Sequence, residues 1–429
     1  MTHLFSSPWL PWSVLLAFSV LARILQGSWL APSAFAGALW SIYIGLPMVA
    51  TRDRISPETI WLLVCLIGSL QAGAFIFEGP KAWEQCTTPI NEEFLAAVVN
   101  RCLRLSLLFS IVALTGAIVY ASIWLRNLQL SFSVEGFFSL GGTLYDIIVG
   151  GEADPWWNRL SRMWVFPSVL LGGCAFALAR SLTKKLLTLS AFVPALFLGT
   201  AMASRFATLL AIPCWMAGYL SMKCYLSRGR FRINPRFVAA IMIIALSAVV
   251  MFGGLYAVRG REFYDASDAS VKIGSDILAY LAVFDSYIRT EEQHPLGLGV
   301  STVGGLFEFL GIKTRERNLD WKPIDLKAGI DSNIYTAFRG LIDDFSIVGS
   351  MVLLLIAGTF VGRAYTQLCS GNMGFTWVLA AYYVFILFSP IVSAFYYNSV
   401  PLALLVGALV LRNPPGHRRT VGTMGLANA

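Results

Sequence analysis

Charge is scarce in this chain. Only 13% of its 429 residues are Asp, Glu, Lys or Arg, against about 25% in soluble proteins. That scarcity excludes an ordinary soluble or disordered chain. Histidine is scarcer still. His3, His294 and His417 stand far apart, so no His-rich metal site is visible and no metal is expected. The seven cysteines form no CxxC pair, which excludes a disulfide scaffold. Five of them (Cys65, Cys174, Cys214, Cys224, Cys369) lie in or beside apolar runs, where Cys acts as a small hydrophobe. Cys86 and Cys102 flank a polar loop and would pair only in an oxidising compartment. Walker A, GxGxxG, HExxH and GxSxG are all absent, which argues against soluble-type nucleotide chemistry. No cofactor is expected.

What the chain has instead is apolar length. Hydrophobic residues make up 57% of it, in runs of about 20, the length that crosses a bilayer as a helix. The runs do not alternate, so a membrane β-barrel is excluded. The expected fold is an all-α polytopic membrane protein of 11–12 transmembrane helices, with one large external loop carrying short helices. Eleven spans are predicted, at residues 9–25, 34–50, 60–77, 103–125, 163–179, 186–203, 206–222, 237–258, 347–364, 375–388 and 392–411. No Lys or Arg precedes Arg23 and no small-residue cleavage site follows, so the first run reads as a retained span. The chain divides into a bundle of about 8–9 spans (1–258), a loop region (259–342) and closing spans with a tail (343–429).

Lys and Arg in short loops set the orientation. Residues 223–236 hold Lys223, Arg228, Arg230, Arg232 and Arg236 without an acid, the clearest cytoplasmic loop. Arg180, Lys184, Lys185, Arg363 and Arg412 agree with it. Eleven spans would then leave Arg52 and Arg54 outside. A twelfth pass over residues 132–150, interrupted by Glu135 and Asp146, would bring them inside and put both termini in the cytoplasm. Residues 78–101 would then be external. The net charge of +8 fits basic cytoplasmic loops and does not point to nucleic acid. Residues 259–332 form an external connection of 74 residues holding nine basic and twelve acidic side chains. A loop of that length is usually functional or separately folded.

Polar residues at the external face are the candidates for chemistry. Arg205 sits at a tight turn between two spans, as a phosphate ligand or as a snorkelling anchor. Arg259 and Arg261 flank a glycine where a span exits. They read as a pyrophosphate clamp, as membrane-edge anchors, or as partners of Glu262 and Asp265. His294 opens the run His294-Pro-Leu-Gly-Leu-Gly299. It is a candidate general base or a plain surface residue, and the glycines suit either an anion-binding nest or an ordinary loop. Asn333 and Tyr335 follow, with Tyr335, Arg339 and Asp343 at i, i+4 and i+8 on one helix face. That face is a simple salt-bridged surface or a polar stripe entering the membrane. Asp344 opens an apolar span, where a carboxylate is costly without a partner. Glu152 and Asp154 are an acid-x-acid pair that reads as a cation site or as chance. Residues 277–287 suggest an amphipathic helix on the membrane face.

Taken in order, Ser204-Arg205, Arg259-Gly-Arg261, Pro295-Leu-Gly-Leu-Gly299, Asn333-Ile-Tyr-Thr-Ala-Phe338 and Asp344-Phe-Ser-Ile-Val-Gly349 resemble the bacterial O-antigen polymerases of the Wzy type. Ser346 stands where that family has a glycine. The resemblance covers residues 190–411 in detail. It implies an inner-membrane glycosyltransferase that joins oligosaccharide repeat units carried on undecaprenyl pyrophosphate at the periplasmic face. No cofactor is implied. The implied partners are these lipid-linked oligosaccharides, membrane lipids and a chain-length regulator. In this light Arg205, Arg259, Arg261 and Arg339, with Tyr335 and Asn333, are substrate-binding candidates. Asp344, Asp343, Asp331 and His294 are base candidates, in that order. Rival readings are an O-antigen ligase and a lipid-linked oligosaccharide flippase or other transporter.

Overall fold

The computed structural model describes residues 7–50, 55–78, 92–131, 162–201, 205–231, 278–290, 296–312, 324–326, 330–332 and 334–412, with Ser133, Gly136 and Leu140. Thirteen α-helices occur among them: α1 (Trp9–Gln26), α2 (Pro32–Ala50), α3 (Pro57–Glu78), α4 (Glu92–Asn127), α5 (Val165–Leu178), α6 (Leu182–Leu189), α7 (Phe192–Ala201), α8 (Arg205–Ser227), α9 (Tyr280–Thr290), α10 (Val300–Phe309), α11 (Ala337–Cys369), α12 (Thr376–Phe388) and α13 (Ser399–Val410). A small antiparallel pair, β1 (Ile324–Leu326) and β2 (Ile330–Ser332), is the one sheet among the described residues.

Seven described helical segments are long and apolar enough to cross a membrane, and α5, α12 and α13 are shorter apolar helices. Their outward sides are greasy. Ile24, Val49, Ile76, Ile111 and Phe360 are exposed, as lipid-facing positions must be. This is an all-α polytopic membrane protein. The expected span over residues 237–258 lies outside the described residues.

Small residues let the helices close up. A Cβ on Gly73 would collide with the Leu355 carbonyl, one on Gly358 with that of Leu70, and one on Gly362 with that of Ala74. Thr366 Oγ1 donates to the Phe77 and Glu78 carbonyls at 2.9 and 3.0 Å. Residue numbers on α3 and α11 rise together through these contacts, so the two helices run parallel. α2 runs the other way, with Ser33 at its start bonded to Glu78 at the end of α3. α1 is antiparallel to α2, with Trp12 beside Gly45 and Ser19 beside Gly37. One face of the bundle therefore carries the starts of α1, α3 and α11.

The basic loops gather on the opposite face. Lys185 lies over Phe176, Phe176 meets Tyr219, and Lys223 lies over Tyr219. Gly229 packs against Tyr365 and Cys369 at the end of α11. Arg180 pairs with Glu92 at 2.7 Å, so α4 also begins here. One expectation is corrected by this geometry. Glu78 and Glu92 stand on the basic face, whereas the twelve-pass reading put residues 78–101 opposite it. α4 then passes the start of α5, where Phe109 stacks on Trp164 at 4.6 Å and Ser110 meets Ser168 at 2.9 Å. The pass expected over residues 132–150 lies, but for Ser133, Gly136 and Leu140, outside the described residues, as do Arg52 and Arg54. Cys102 is a buried free thiol, and Cys86 lies outside the described residues.

Candidate functional site

The face opposite the basic loops holds a concentrated polar cluster, built on the first turns of α11. Thr336 precedes the helix with φ 57° and ψ 153°. Ser346 interrupts it with φ 63° and ψ 173°. Both conformations belong to a region that is essentially glycine's, costing about 1–3 kcal/mol each. The ten residues from Thr336 to Phe345 are thus a short helix with its cap, offset from the membrane part of α11 by a backbone break. Ser346 thus keeps a backbone conformation that glycine adopts without cost. Ala337 N–H donates to the Ser389 carbonyl at 2.7 Å, Trp40 Nε1 to Ser389 Oγ at 3.1 Å, and Phe338 packs on Trp40. These contacts fix the short helix against α2 and α12.

On one side of this short helix sits Arg339. Its guanidinium carbon lies 3.8 Å from the Tyr335 ring centre and 4.5 Å from that of Tyr287. Cation–π contacts of this kind strengthen when desolvated, and Arg339 is buried. Its Nε is 3.5 Å from Asp343 Oδ2. Tyr287 Oη donates to Asp343 Oδ1 at 2.5 Å. The predicted i, i+4, i+8 face of Tyr335, Arg339 and Asp343 is therefore real, although Tyr335 stands just before the helix. Tyr287 joins it from α9, the helix expected near residues 277–287. Asp285 on α9 accepts from the Ser56 N–H at 3.0 Å and from Ser56 Oγ, and pairs with Arg289 at 3.0 Å. Tyr280 donates to the Tyr43 carbonyl. Burial pushes the Tyr280 phenol well above its ordinary pKa, so it acts as a donor. These two bonds tie α9 to α2 and α3, and through Tyr287 they position the Arg339 cluster.

Asp344 faces elsewhere. Its Oδ1 accepts from the Ser301 N–H at 3.1 Å and its Oδ2 from the Thr302 N–H at 2.7 Å. These are the second and third residues of α10, whose N–H groups lack partners within the helix. Asp344 is thus an N-cap supplied from another helix. The glycine run folds around it. Gly297 and Leu298 donate to the carbonyls of Asp343 and Asp344 at 3.0 and 3.2 Å. A Cβ on Gly297 would collide with Asp344 Oδ1. The anion cradled by the Leu296–Gly299 loop is the chain's own carboxylate. Asp344 is fully buried with both oxygens committed to backbone donors, and so it does not suit the leading base role expected of it. Asp343, by contrast, is half-buried and its carboxylate is held by side chains.

The remaining candidates stand on other elements or outside the described residues. Asp331 lies in β2 opposite Asp325. Arg205 opens α8. His294, Arg259, Arg261, Asn333, Glu152 and Asp154 lie outside the described residues. Among the described residues no group of three metal-ligating side chains occurs. Two hydroxyls beside the cluster, Thr302 Oγ1 and Thr336 Oγ1, are buried and have no hydrogen-bond partner among the described residues. Sequence reading noted Tyr287 as a polar helix position but missed its role, and it missed the cap made by Asp344. The signal for the cap was present only as Gly297 and Gly299 spaced about a carboxylate whose partners lie over 40 residues away.

Comparison with protein families, curated proteins and solved structures finds no match to this chain.

Proposed function

We propose that the chain is a glycosyltransferase that joins lipid-linked oligosaccharide repeat units, as an O-antigen polymerase of the Wzy type does. The observation that carries the reading is the buried Arg339, sandwiched by Tyr287 and Tyr335 and paired with Asp343, on the face opposite the basic loops. Positive-inside placement makes the basic face cytoplasmic and this one periplasmic in a bacterial inner membrane.

The chemistry follows from the groups present. A polyprenyl-pyrophosphate donor needs its leaving group's charge stabilised, and a guanidinium matches phosphate oxygens. Tyr287 and Tyr335 hold the Arg339 guanidinium in place between their rings. Asp343 accepts the proton of the attacking hydroxyl. The acceptor oxygen bonds to the donor's anomeric carbon, the bond from that carbon to pyrophosphate oxygen breaks, and polyprenyl pyrophosphate departs with the electron pair. No nucleotide is consumed, in keeping with the missing nucleotide motifs. Asp344 and the glycine run hold α10 against the cluster and touch no substrate.

The test is a gene deletion with the surface glycan resolved by gel and mass. A core bearing one repeat unit and no ladder is the expected result. Bare core with accumulating lipid-linked polymer would make the protein a ligase. Bare core with unpolymerised units held on the cytoplasmic face would make it a flippase. An unchanged ladder would remove the glycan reading altogether.

A further inference from the structure

A second polar feature lies on the opposite, basic face and takes no part in the cluster above. α4 is 36 residues long, well beyond the roughly 20 needed to span. Its first three turns project past the apolar part and carry Asn100, Arg101 and Arg104. Ala97, Asn100, Arg101, Arg104 and Leu105 line an open groove of about 460 Å³. The groove is preorganised. Arg101 Nη1 donates to the Val410 carbonyl at the end of α13, at 3.3 Å. Lys184 Nζ donates to Asn100 Oδ1 at 3.0 Å. Arg104 is exposed and makes no ion pair among the described residues. The nearby Glu92 is already paired with Arg180, and Glu93 lies two turns farther out, about 12 Å along the axis from Arg101.

The same stripe of α4 changes character below the arginines. Leu108, Ile111 and Val112 follow Arg104 at helical spacing and are exposed at 52%, 63% and 40%. A basic pocket at the membrane edge with an apolar track beneath it has the shape of a lipid, with head group above and acyl chain below. A soluble phosphate would need the arginines but not the track.

We infer that this groove on α4, beside the end of α13, binds the phosphate of an anionic membrane lipid, with an acyl chain laid along Leu108, Ile111 and Val112. Arg101 and Arg104 contact the phosphate, and Asn100 and Lys184 close the groove's outer edge. The site stands on the face away from the proposed glycosyl transfer and holds whether or not that reading does.

The experiment is native mass spectrometry of the full chain in detergent, titrated with phosphatidylglycerol or with phosphatidylcholine of the same acyl chains. The wild type is expected to retain phosphatidylglycerol preferentially. Arg104→Gln should weaken it roughly five-fold, and Arg101→Gln with Arg104→Gln roughly 25-fold, at about one charge's worth each. Arg101→Lys should restore most of the affinity, and Arg289→Gln on the other face should change nothing. If Arg101→Gln does not fold, Arg104→Gln alone decides, since its side chain is exposed. Equal retention of phosphatidylcholine, or undiminished phosphatidylglycerol binding in the arginine variants, would overturn the proposal. Inorganic phosphate separates the two sources. Failure to displace the lipid supports the lipid site, and displacement at the lipid's own concentration would overturn it in favour of a soluble anion.

Discussion

The two faces of the bundle use carboxylates in the same way up to a point, and then diverge. On the basic face, Glu78 at the end of α3 accepts from the Ser33 N–H at 2.7 Å and from Ser33 Oγ, at the start of α2. On the other face, Asp285 does the same for Ser56 before α3, and Asp344 for Ser301 and Thr302 in α10. In each case a carboxylate from one element satisfies the orphan donors of another helix, where lipid offers no water to do so. Each face also has a carboxylate beyond this need, but on the basic face Glu92 is exposed with Arg180, whereas on the second face Asp343 is half-buried. Asp343 holds no backbone donor in the described structure and instead meets Tyr287 and Arg339. An acid in a membrane protein is therefore not a site by default. The acid left over once the helix ends are satisfied is the better candidate.

Removing a cap should cost most. Asp344→Ala leaves two buried N–H groups unpaired at about 1–3 kcal/mol each, so a loss of about 2–6 kcal/mol is expected in thermal unfolding of the purified protein. Glu78→Ala should cost a similar amount for the Ser33 donors and leave the Arg339 cluster intact. Gly297→Ala comes next. Its Cβ drives into Asp344, and overpacking of that kind costs about 1–3 kcal/mol. Asp343→Asn should shift unfolding by less than about 1 kcal/mol, because the amide still accepts from Tyr287, yet it should abolish the polymer ladder. Ser346→Gly is the smallest change and runs the other way. It relieves a strained φ of 63° and should stabilise by about 1 kcal/mol after the added freedom of the unfolded chain is counted. Ser346→Ala should not show that gain.

Much of this architecture is legible in the sequence. Apolar length alone gives the spans, because a bilayer imposes it. The Tyr335, Arg339 and Asp343 stripe is legible because helical spacing is local. Arg180, Lys184 and Lys223 are correctly grouped on one face by their charge. What is not legible depends on distant partners. Asp344 reads as a base at the mouth of a span until Ser301 and Thr302 are seen to claim it. The parallel run of α3 and α11 rests on Gly73, Gly358 and Gly362, and hydropathy carries no record of which helix lies beside which. Arg101 and Arg104 are visible in sequence as two charges before an apolar run, but their neighbours Val410 and Lys184 are distant in sequence.

The division of labour between the adjacent acids is the centre of this account, and one comparison tests it. Asp343→Asn and Asp344→Asn would be expressed in a deletion strain at matched protein levels, and the glycan ladder read beside thermal unfolding. Asp343→Asn should fold as the wild type does and leave a core with a single repeat unit. Asp344→Asn should unfold more easily and retain a ladder in proportion to the folded protein that remains. A full ladder from Asp343→Asn, or a normally stable Asp344→Asn protein that makes no polymer, would contradict it.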